Sequence, residues 1–497
     1  MSAALTQAVR EPLPGTAAGE APLLRVLTCG SVDDGKSTLL GRLLYDSNAI
    51  FDDQLSALDQ ESRRWGTQGE TRDFALLLDG LSAEREQGIT IDVAYRYFST
   101  PRRSFIIADA PGHDQYTRNM ATGASNADLA IILVDARKGV RPQTRRHAFI
   151  AATLGIRHAV LAINKMDLVD FSQAVWQRIS DEFRAASGSL GFASIVSIPI
   201  VARDGDNIVR PSERMPWFAG ETLLAHLETV SVEPPEAGGA GRLPVQLVLR
   251  PDSEFRGYAG TVAGGTLRTG QEVVVLPGGQ HTSICRIVTA DSDRAQAGPG
   301  EAVTITLANE IDVSRGDVLA AADQAPTVTT QLSARLLWME KDPLAAGQEF
   351  VVQLGTATAN AKVTRIRHAI DIETYEPEPA AWLGMNGIGL VDLAFDKEIV
   401  AARYAEDRTL GALILVDRLT NRTAGMAVID AIDGPPEHVG LRWRPSSWSR
   451  FSARLLGGAF IWTATVALSR DVALASMLAA ADVLLRPALE HIARGRE

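Results

Sequence analysis

Gly30-Ser31-Val32-Asp33-Asp34-Gly35-Lys36-Ser37 fits the pattern G-x4-G-K-S/T, and Thr38 carries it into a helix. The apolar run Leu23-Leu24-Arg25-Val26-Leu27-Thr28-Cys29 precedes it, and Ser37-Thr38-Leu39-Leu40-Gly41-Arg42-Leu43-Leu44 follows at helical spacing. Strand, glycine loop and helix form the context that gives the pattern its meaning. The glycines let backbone N–H groups turn toward a phosphate, and the helix N-terminus adds its partial positive charge. Lys36 is placed to reach the β- and γ-phosphates and Ser37 to ligate Mg²⁺. A turn that merely joins strand to helix explains a lone G-x-G but not the full motif.

Further buried-type strands follow at Phe105 to Ala108, Leu129 to Val134 and Ala159 to Ile163, each ending in a polar turn. Strands alternating with helical segments imply a parallel sheet covered by helices, with ligands bound at the carboxyl ends of the strands. Asp109-Ala110-Pro111-Gly112-His113 stands at one such end. Asp109 is the expected Mg²⁺ partner, and a strand-end N-cap is its bland alternative. His113 can orient or polarise a water at neutral pH. Asn164-Lys165-Met166-Asp167 stands at another strand end. The Asp167 carboxylate can accept from the N1–H and N2–H₂ of guanine. Adenine lacks that donor pair and leaves a buried carboxylate unpaired. The order P-loop, D-x-P-G, N-K-x-D across one α/β domain therefore selects GTP over ATP. Gly88-Ile89-Thr90 has the look of a switch ordered by the γ-phosphate and Mg²⁺ and released on hydrolysis.

The chain has 497 residues, enough for about three domains. Its 46% hydrophobic and 22% charged residues exclude disorder as the dominant state. A net charge of −11 argues against a protein that coats nucleic acid, although a local basic patch stays open. The two cysteines, Cys29 and Cys285, cannot frame a disulfide fold and point to a reducing, cytoplasmic setting. Residues 1–22 read as a disordered tail without a signal core. The GTPase domain is expected over 23–232 and a Pro/Gly linker over 233–242. All-β texture then predicts a small barrel over 243–326, and a second β-rich stretch runs over 331–432. Residues 433–497 form a tail of different character.

The ordered motif set resembles the translation-factor GTPases, the superfamily of elongation factor Tu. Gly88-Ile89-Thr90-Ile91, the D-x-P-G-H loop, Arg256-Gly257 through Gly270, and Leu276-Pro277 carry that likeness, which spans Leu24 to Ile432. Within the superfamily the chain resembles more closely the large, GTP-binding subunits of sulfate adenylyltransferases. Asp34 stands where elongation factors have a histidine. The runs Leu76 to Leu81, Ala83 to Gly88, Asp92 to Phe98, Tyr116 to Ser125, Met215 to Phe218 and Ile414 to Asn421 point the same way. The resemblance implies a GTPase domain followed by two β-barrels. It implies GTP and Mg²⁺ as cofactors, with Lys36, Ser37, Thr90 and Asp109 on phosphates and metal. His113 then positions the attacking water, while Asn164, Asp167 and the backbone of Ala202 read guanine. The implied partner is a small ATP-sulfurylase-type catalytic subunit, in a heterodimer or higher oligomer. That subunit makes adenosine 5′-phosphosulfate and pyrophosphate from ATP and sulfate, and GTP hydrolysis is coupled to this uphill step. A translation factor delivering aminoacyl-tRNA and a GTP-dependent scaffold are the competing readings; Asp34 and the Tyr116 to Ser125 run favour the sulfate-activating subunit over the translation factor.

Some relatives carry a fused adenylyl-sulfate kinase after the second barrel. Such a kinase needs its own P-loop lysine, yet the last lysine here is Lys397 and no G-x4-G-K-S/T follows Pro435. The tail holds a basic-aromatic run, Arg442 to Phe451, an uncharged run, Leu455 to Leu468, and apolar positions from Leu474 to Leu485 on one helical face. It is read as short helices packed on the body or a partner, since the uncharged run is too short to span a bilayer comfortably.

The chain departs from its family at the third guanine loop, usually Ser-Ala-Leu and here Val201-Ala202-Arg203. The backbone N–H of Ala202 remains available in principle, but the serine hydroxyl is missing. Weaker nucleotide affinity with retained guanine specificity is expected. Val201→Ser should tighten guanine-nucleotide binding in a titration, and unchanged binding would refute the reading.

Overall fold

The computed structural model describes residues 23–47, 50, 58, 62, 74, 92–232, 239–253 and 255–432. The N-terminal segment 1–22, the switch residues Gly88, Ile89 and Thr90, most of the linker and the tail 433–497 lie outside the described residues.

The first domain is an α/β layer structure. Its six strands are β1 (Leu23–Gly30), β2 (Ala94–Ser99), β3 (Ser104–Asp109), β4 (Leu129–Asp135), β5 (His158–Asn164) and β6 (Ser194–Pro199), in the spatial order β2-β3-β1-β4-β5-β6. β1, β3, β4, β5 and β6 run parallel, whereas β2 pairs antiparallel with β3 at the edge. The sheet is therefore mostly parallel, as expected, with one antiparallel edge strand. The cause is local: Thr100 to Arg103 closes a hairpin in which Arg103 O accepts from Thr100 N at 2.8 Å. A strand pair joined by so short a turn can only be antiparallel. β4 is buried along its whole length, as a strand covered on both faces must be.

The helices that cover the sheet are α1 (Lys36–Asp46), α2 (Thr117–Ala124), α3 (Pro142–Thr153), α4 (Gln173–Ser187) and α5 (Leu223–Thr229). One core layer packs Leu24, Val26, Leu39, Leu43 and Ile107 together; the other packs Leu27, Cys29, Met120, Ile132 and Phe149. Alternate residues of β1 thus serve opposite faces. The register brings the motif-bearing ends level: Thr28 faces Asp109, Asp135 faces Asn164, and Ile163 faces Pro199. That alignment puts every nucleotide loop on one edge of the sheet.

Two antiparallel barrels follow. The first is built on β7 (Gly241–Pro244), β8 (Leu247–Leu249), β9 (Gly257–Thr261), β10 (Glu272–Leu276), β11 (Gln280–Val288), β12 (Ala302–Leu307) and β13 (Val318–Ala321). β7 pairs with β13 and β8 with β9, while Val245 and Gln246 alone separate β7 from β8. The chain bends between them and brings the sheet round on itself. The second barrel has β14 (Thr327–Trp338), β15 (Glu349–Leu354), β16 (Ala357–Ile370), β17 (Ile388–Ala401), β18 (Ala412–Val416) and β19 (Thr423–Ile432). It closes fully, because β15 pairs with both β18 and β16. Leu332, Leu336, Phe350, Val363, Val391 and Leu415 fill its interior.

The second barrel packs directly on the GTPase domain. Leu337, Ile388 and Val428 join the core layer that contains Ala148 and Phe149 of α3. Tyr375 Oη donates to Arg145 O at 2.9 Å and Tyr404 Oη to Leu154 O at 2.9 Å. Arg408 Nη2 donates to Gly155 O at 2.6 Å. Gly155, at φ +79°, ends α3 in the left-handed conformation that a glycine takes without strain.

The two barrels are joined by a buried ion pair. Arg242 Nη1 donates to Asp407 Oδ2 at 2.9 Å, and the Asp407 side chain is 2% exposed. Its other oxygen accepts from Thr409 N at 2.8 Å and Leu410 N at 3.0 Å, capping α6 (Arg408–Gly411). Asp407→Ala leaves a guanidinium and two N–H groups without their acceptor. A loss of about 3–5 kcal/mol is expected, seen as an earlier calorimetric unfolding transition. Asp407→Asn, which keeps an acceptor for the cap, should lose less; an unchanged transition in Asp407→Ala would refute the assignment.

Candidate functional site

The P-loop alternates hand. Asp33 at φ +69° and Gly35 at φ +94° are left-handed, and this turns successive N–H groups inward to make an anion-binding concavity. At Gly35 a Cβ would collide with the Asn164 amide, so the position admits only glycine. Asp34 is buried, and its Oδ2 accepts from Ser31 N at 2.7 Å. Burial pushes its carboxyl up, against the pull of Lys36. Asp34 thereby braces the loop from inside. Lys36 Nζ donates to Gly30 O at 3.1 Å and Ser31 O at 2.9 Å. Burial pushes the lysine down, while Asp109 and Asp34 favour its charge. Val32 is half-buried on the loop crest, and Ser37 and Thr38 are half-buried at the start of α1.

Asp109, at the end of β3, is 1% exposed. Thr28 Oγ1 donates to its Oδ1 at 3.0 Å and fixes the carboxylate beside the P-loop. A Cβ on Gly112 would sit 2.8 Å from Gly30 O and also against the Lys36 ammonium. The Asp109-to-His113 loop therefore lies on the phosphate loop. Ala110 packs its side chain into the core, leaving its backbone to the loop. Pro111 is buried with it. His113 Nδ1 accepts from Gln115 N at 3.2 Å. With Nδ1 accepting, Nε2 is the ring nitrogen left to donate.

The guanine loops converge on one amide. Asn164 Nδ2 donates to Asp34 O at 2.8 Å, and Asn164 Oδ1 accepts from Lys165 N at 2.8 Å and Ala202 N at 2.9 Å. The Ala202 N–H thus serves Asn164 rather than standing free for the base. Lys165, left-handed at φ +63°, donates from Nζ to Asp33 O and pairs with Asp135 Oδ2 at 3.2 Å. Burial raises the Asp135 carboxyl, but hydrogen bonds from Arg137 and Lys165 outweigh it and hold it at about 2. Met166 turns its side chain into the hydrophobic core and lines no ligand space. A cavity of about 210 Å³ opens between these loops, lined by Gly35, Thr38, Lys165, Asp167, Val201 and Arg203 among others. Its position beside the Asp167 carboxylate is where a purine base would lie.

Ser37 offers a hydroxyl and Asp109 a carboxylate, hard oxygen donors of the kind a Mg²⁺ completed by phosphates and water would take. Among the described residues no cluster of three or more His, Cys, Asp or Glu side chains is placed to form an all-protein metal cage.

Sequence reasoning missed four contributors. Asp135 is an acid at a strand end, a signal that was present but belongs to no short motif. Arg203 donates from Nη2 to Asp167 Oδ2 at 3.4 Å. Asn386, from the second barrel, donates to Asp114 O at 2.8 Å, next to His113; nothing local in the sequence connects positions 272 apart. Arg146 of α3 faces the Asp114 carboxylate at 3.6 Å.

Residues 21–371 match the family described as the elongation factor Tu GTP binding domain, and residues 331–430 match the GTP-eEF1A C-terminal domain-like family. The sulfate adenylyltransferase subunit 1 of Aeromonas hydrophila is 54% identical over 407 residues, covering 82% of this chain and 86% of that protein. Among solved structures, that of sup35 complexed with GMPPNP is 22% identical, covers 86% of this chain and 98% of its own, and has a TM-score of 0.39. The strand–P-loop–helix at Gly30, the guanine loop at Asn164 and the two barrels thus meet a sequence likeness over most of the chain, which belongs to the elongation factor Tu-like GTPases, in the family of sulfate adenylyltransferase subunit 1.

Proposed function

We infer that this chain is the GTPase subunit of a sulfate adenylyltransferase. It couples hydrolysis of GTP to formation of adenosine 5′-phosphosulfate and pyrophosphate from ATP and sulfate on a partner subunit. The observation that carries the reading is the Asp167 carboxylate beside a base-sized cavity, tied through Asn164 to the P-loop, in a chain 54% identical to a sulfate adenylyltransferase subunit 1. The partner is proposed to be the small ATP-sulfurylase-type subunit, in a heterodimer or larger assembly within the cytoplasm.

Each residue has a chemical task. The inward N–H groups of the P-loop and the Lys36 ammonium bind the β- and γ-phosphates. Reaching them requires Lys36 to exchange its bonds to Gly30 O and Ser31 O for phosphate oxygens. Ser37 and Asp109 would hold Mg²⁺, with Thr90 as a further ligand; the ion supplies charge neutralisation on the β- and γ-oxygens. The Nε2–H of His113 orients the attacking water, whose oxygen forms the new bond to the γ-phosphorus as the bond to the β-phosphate oxygen breaks. GDP and inorganic phosphate result. Asp167 accepts from guanine N1–H and N2–H₂, and a base lacking that pair leaves the carboxylate without partners.

His113→Ala should lower single-turnover GTP hydrolysis by about 10²-fold or more while GDP affinity stays within about twofold. Equal loss of binding and turnover would remove His113 from the water-positioning role. Affinity capture of the full chain from its native cell should recover an ATP-sulfurylase-type subunit. The recovered complex should make adenosine 5′-phosphosulfate faster with GTP than without. Recovery of ribosomes or tRNA, with no such subunit, would overturn the inference in favour of a translation factor.

A further inference from the structure

A base-reading carboxylate must present both oxygens edge-on to guanine. Two torsions govern the aspartate side chain, so its orientation is fixed only if something donates to it from outside the base plane. The Val201 side chain carries no donor. Among the described residues, the one side chain that donates to Asp167 is Arg203, from Nη2 to Oδ2 at 3.4 Å. The Asp167 side chain is 16% exposed and that of Arg203 50% exposed.

Arg203 is itself held. Its Nε donates to Asp204 Oδ1 at 2.7 Å and its Nη2 to Asp204 Oδ2 at 3.2 Å. Asp204 accepts from Arg214 Nη2 at 2.7 Å, and Arg214 pairs in turn with Asp206. The Arg214 guanidinium also lies 4.8 Å from the centre of the Phe171 ring. The charges alternate from Asp167 outward, and the far end is anchored on an aromatic ring. An arginine fork bonded on two sides loses less freedom per contact than a lone one.

The guanidinium resembles the N1–C2–N2 edge of guanine and could in principle compete for Asp167. The geometry argues otherwise. Arg203 reaches only Oδ2, its two bonds to Asp204 draw it to the wall, and the cavity beside it stays open at about 210 Å³. We propose that Arg203 is a positioning residue for base recognition. It holds the Asp167 carboxylate in register with the guanine N2 amino group, in place of the hydroxyl that Val201 cannot offer. The proposal rests on the reading of this cavity as the guanine site.

The test is titration of the full chain with GDP and with IDP, whose hypoxanthine lacks the 2-amino group. Arg203→Leu should weaken GDP by about three- to fivefold, the range of a half-exposed ion pair. IDP should weaken less, so the GDP-to-IDP ratio narrows. In the Val201→Ser background the same change should cost about twofold or less, because the serine hydroxyl then carries part of the task. Arg203→Lys should retain part of the wild-type ratio. Unchanged or tighter GDP binding in Arg203→Leu would overturn the proposal, the tighter result identifying Arg203 as a competitor. Equal losses for GDP and IDP would reduce it to a loop brace and overturn it as well. Wild-type protein that binds neither nucleotide would instead refute the guanine site itself.

Discussion

One amide holds the nucleotide site together. Asn164 donates to the P-loop carbonyl of Asp34 and accepts from the backbone of Lys165 and Ala202, so three loops from β1, β5 and β6 meet at a single side chain. It is 2% exposed, and a buried amide with unpaired groups costs more than its hydrogen bonds return. The arrangement is therefore all or nothing: each loop keeps its shape because the other two satisfy the same amide. Lys165 adds a second tie, to Asp33 O on the P-loop and to Asp135 at the end of β4. With that bond, the neighbouring strand of the sheet also contributes to the site.

This convergence explains which parts of the site were legible in the sequence. The P-loop, D-x-P-G-H and N-K-x-D motifs are local, and each sits where a buried apolar run ends. The parallel register then makes their meeting inevitable: once Thr28 faces Asp109 and Asp135 faces Asn164, the loops have one edge to share. The first barrel was readable as texture, since short strands with glycine turns must bury one face; the second read only as β-rich, its barrel implied by the family resemblance. Edge strand β2 was less legible. Its pattern half-exposes Ala94 and Arg96 and leaves Tyr95 and Tyr97 facing water, and only the short hairpin turn declares its direction.

What the sequence withheld is interaction across long separations. Asp34 reads as a family marker in the motif, but its role as an internal acceptor for Ser31 N–H needs the folded loop. Met166 sits inside a ligand-binding motif, yet the backbone at Lys165 turns left-handed and delivers the methionine to the core. His147 belongs to no motif. It is fully buried on α3, where burial, with smaller pushes from Lys36 and Arg146, lowers it to about 3 and keeps it neutral. Its Nε2 meets the Gln143 side chain at 2.8 Å. None of these follows from spacing along the chain.

The same logic accounts for the way the second barrel is attached. Helix α3 ends in a glycine turn: Gly155 N donates to Ala152 O and Ile156 N to Ala151 O, at 3.0 Å each. That turn still leaves the carbonyls of Leu154 and Gly155 pointing outward, and the last turn of the helix carries no basic residue of its own. The barrel supplies what is missing. Tyr404 donates to Leu154 O, and Arg408 brings a full positive charge to Gly155 O at the negative end of the helix dipole. Undocking the barrel would therefore expose apolar surface on α3 and also uncap the helix. At the other end of the contact, Asn386 holds the carbonyl of Asp114, one residue from His113. The barrel thus grips the GTPase domain through backbone carbonyls as well as through apolar packing on α3. Backbone positions cannot swing away as rotamers do, so any movement of the His113 loop must either carry Asn386 with it or break that bond.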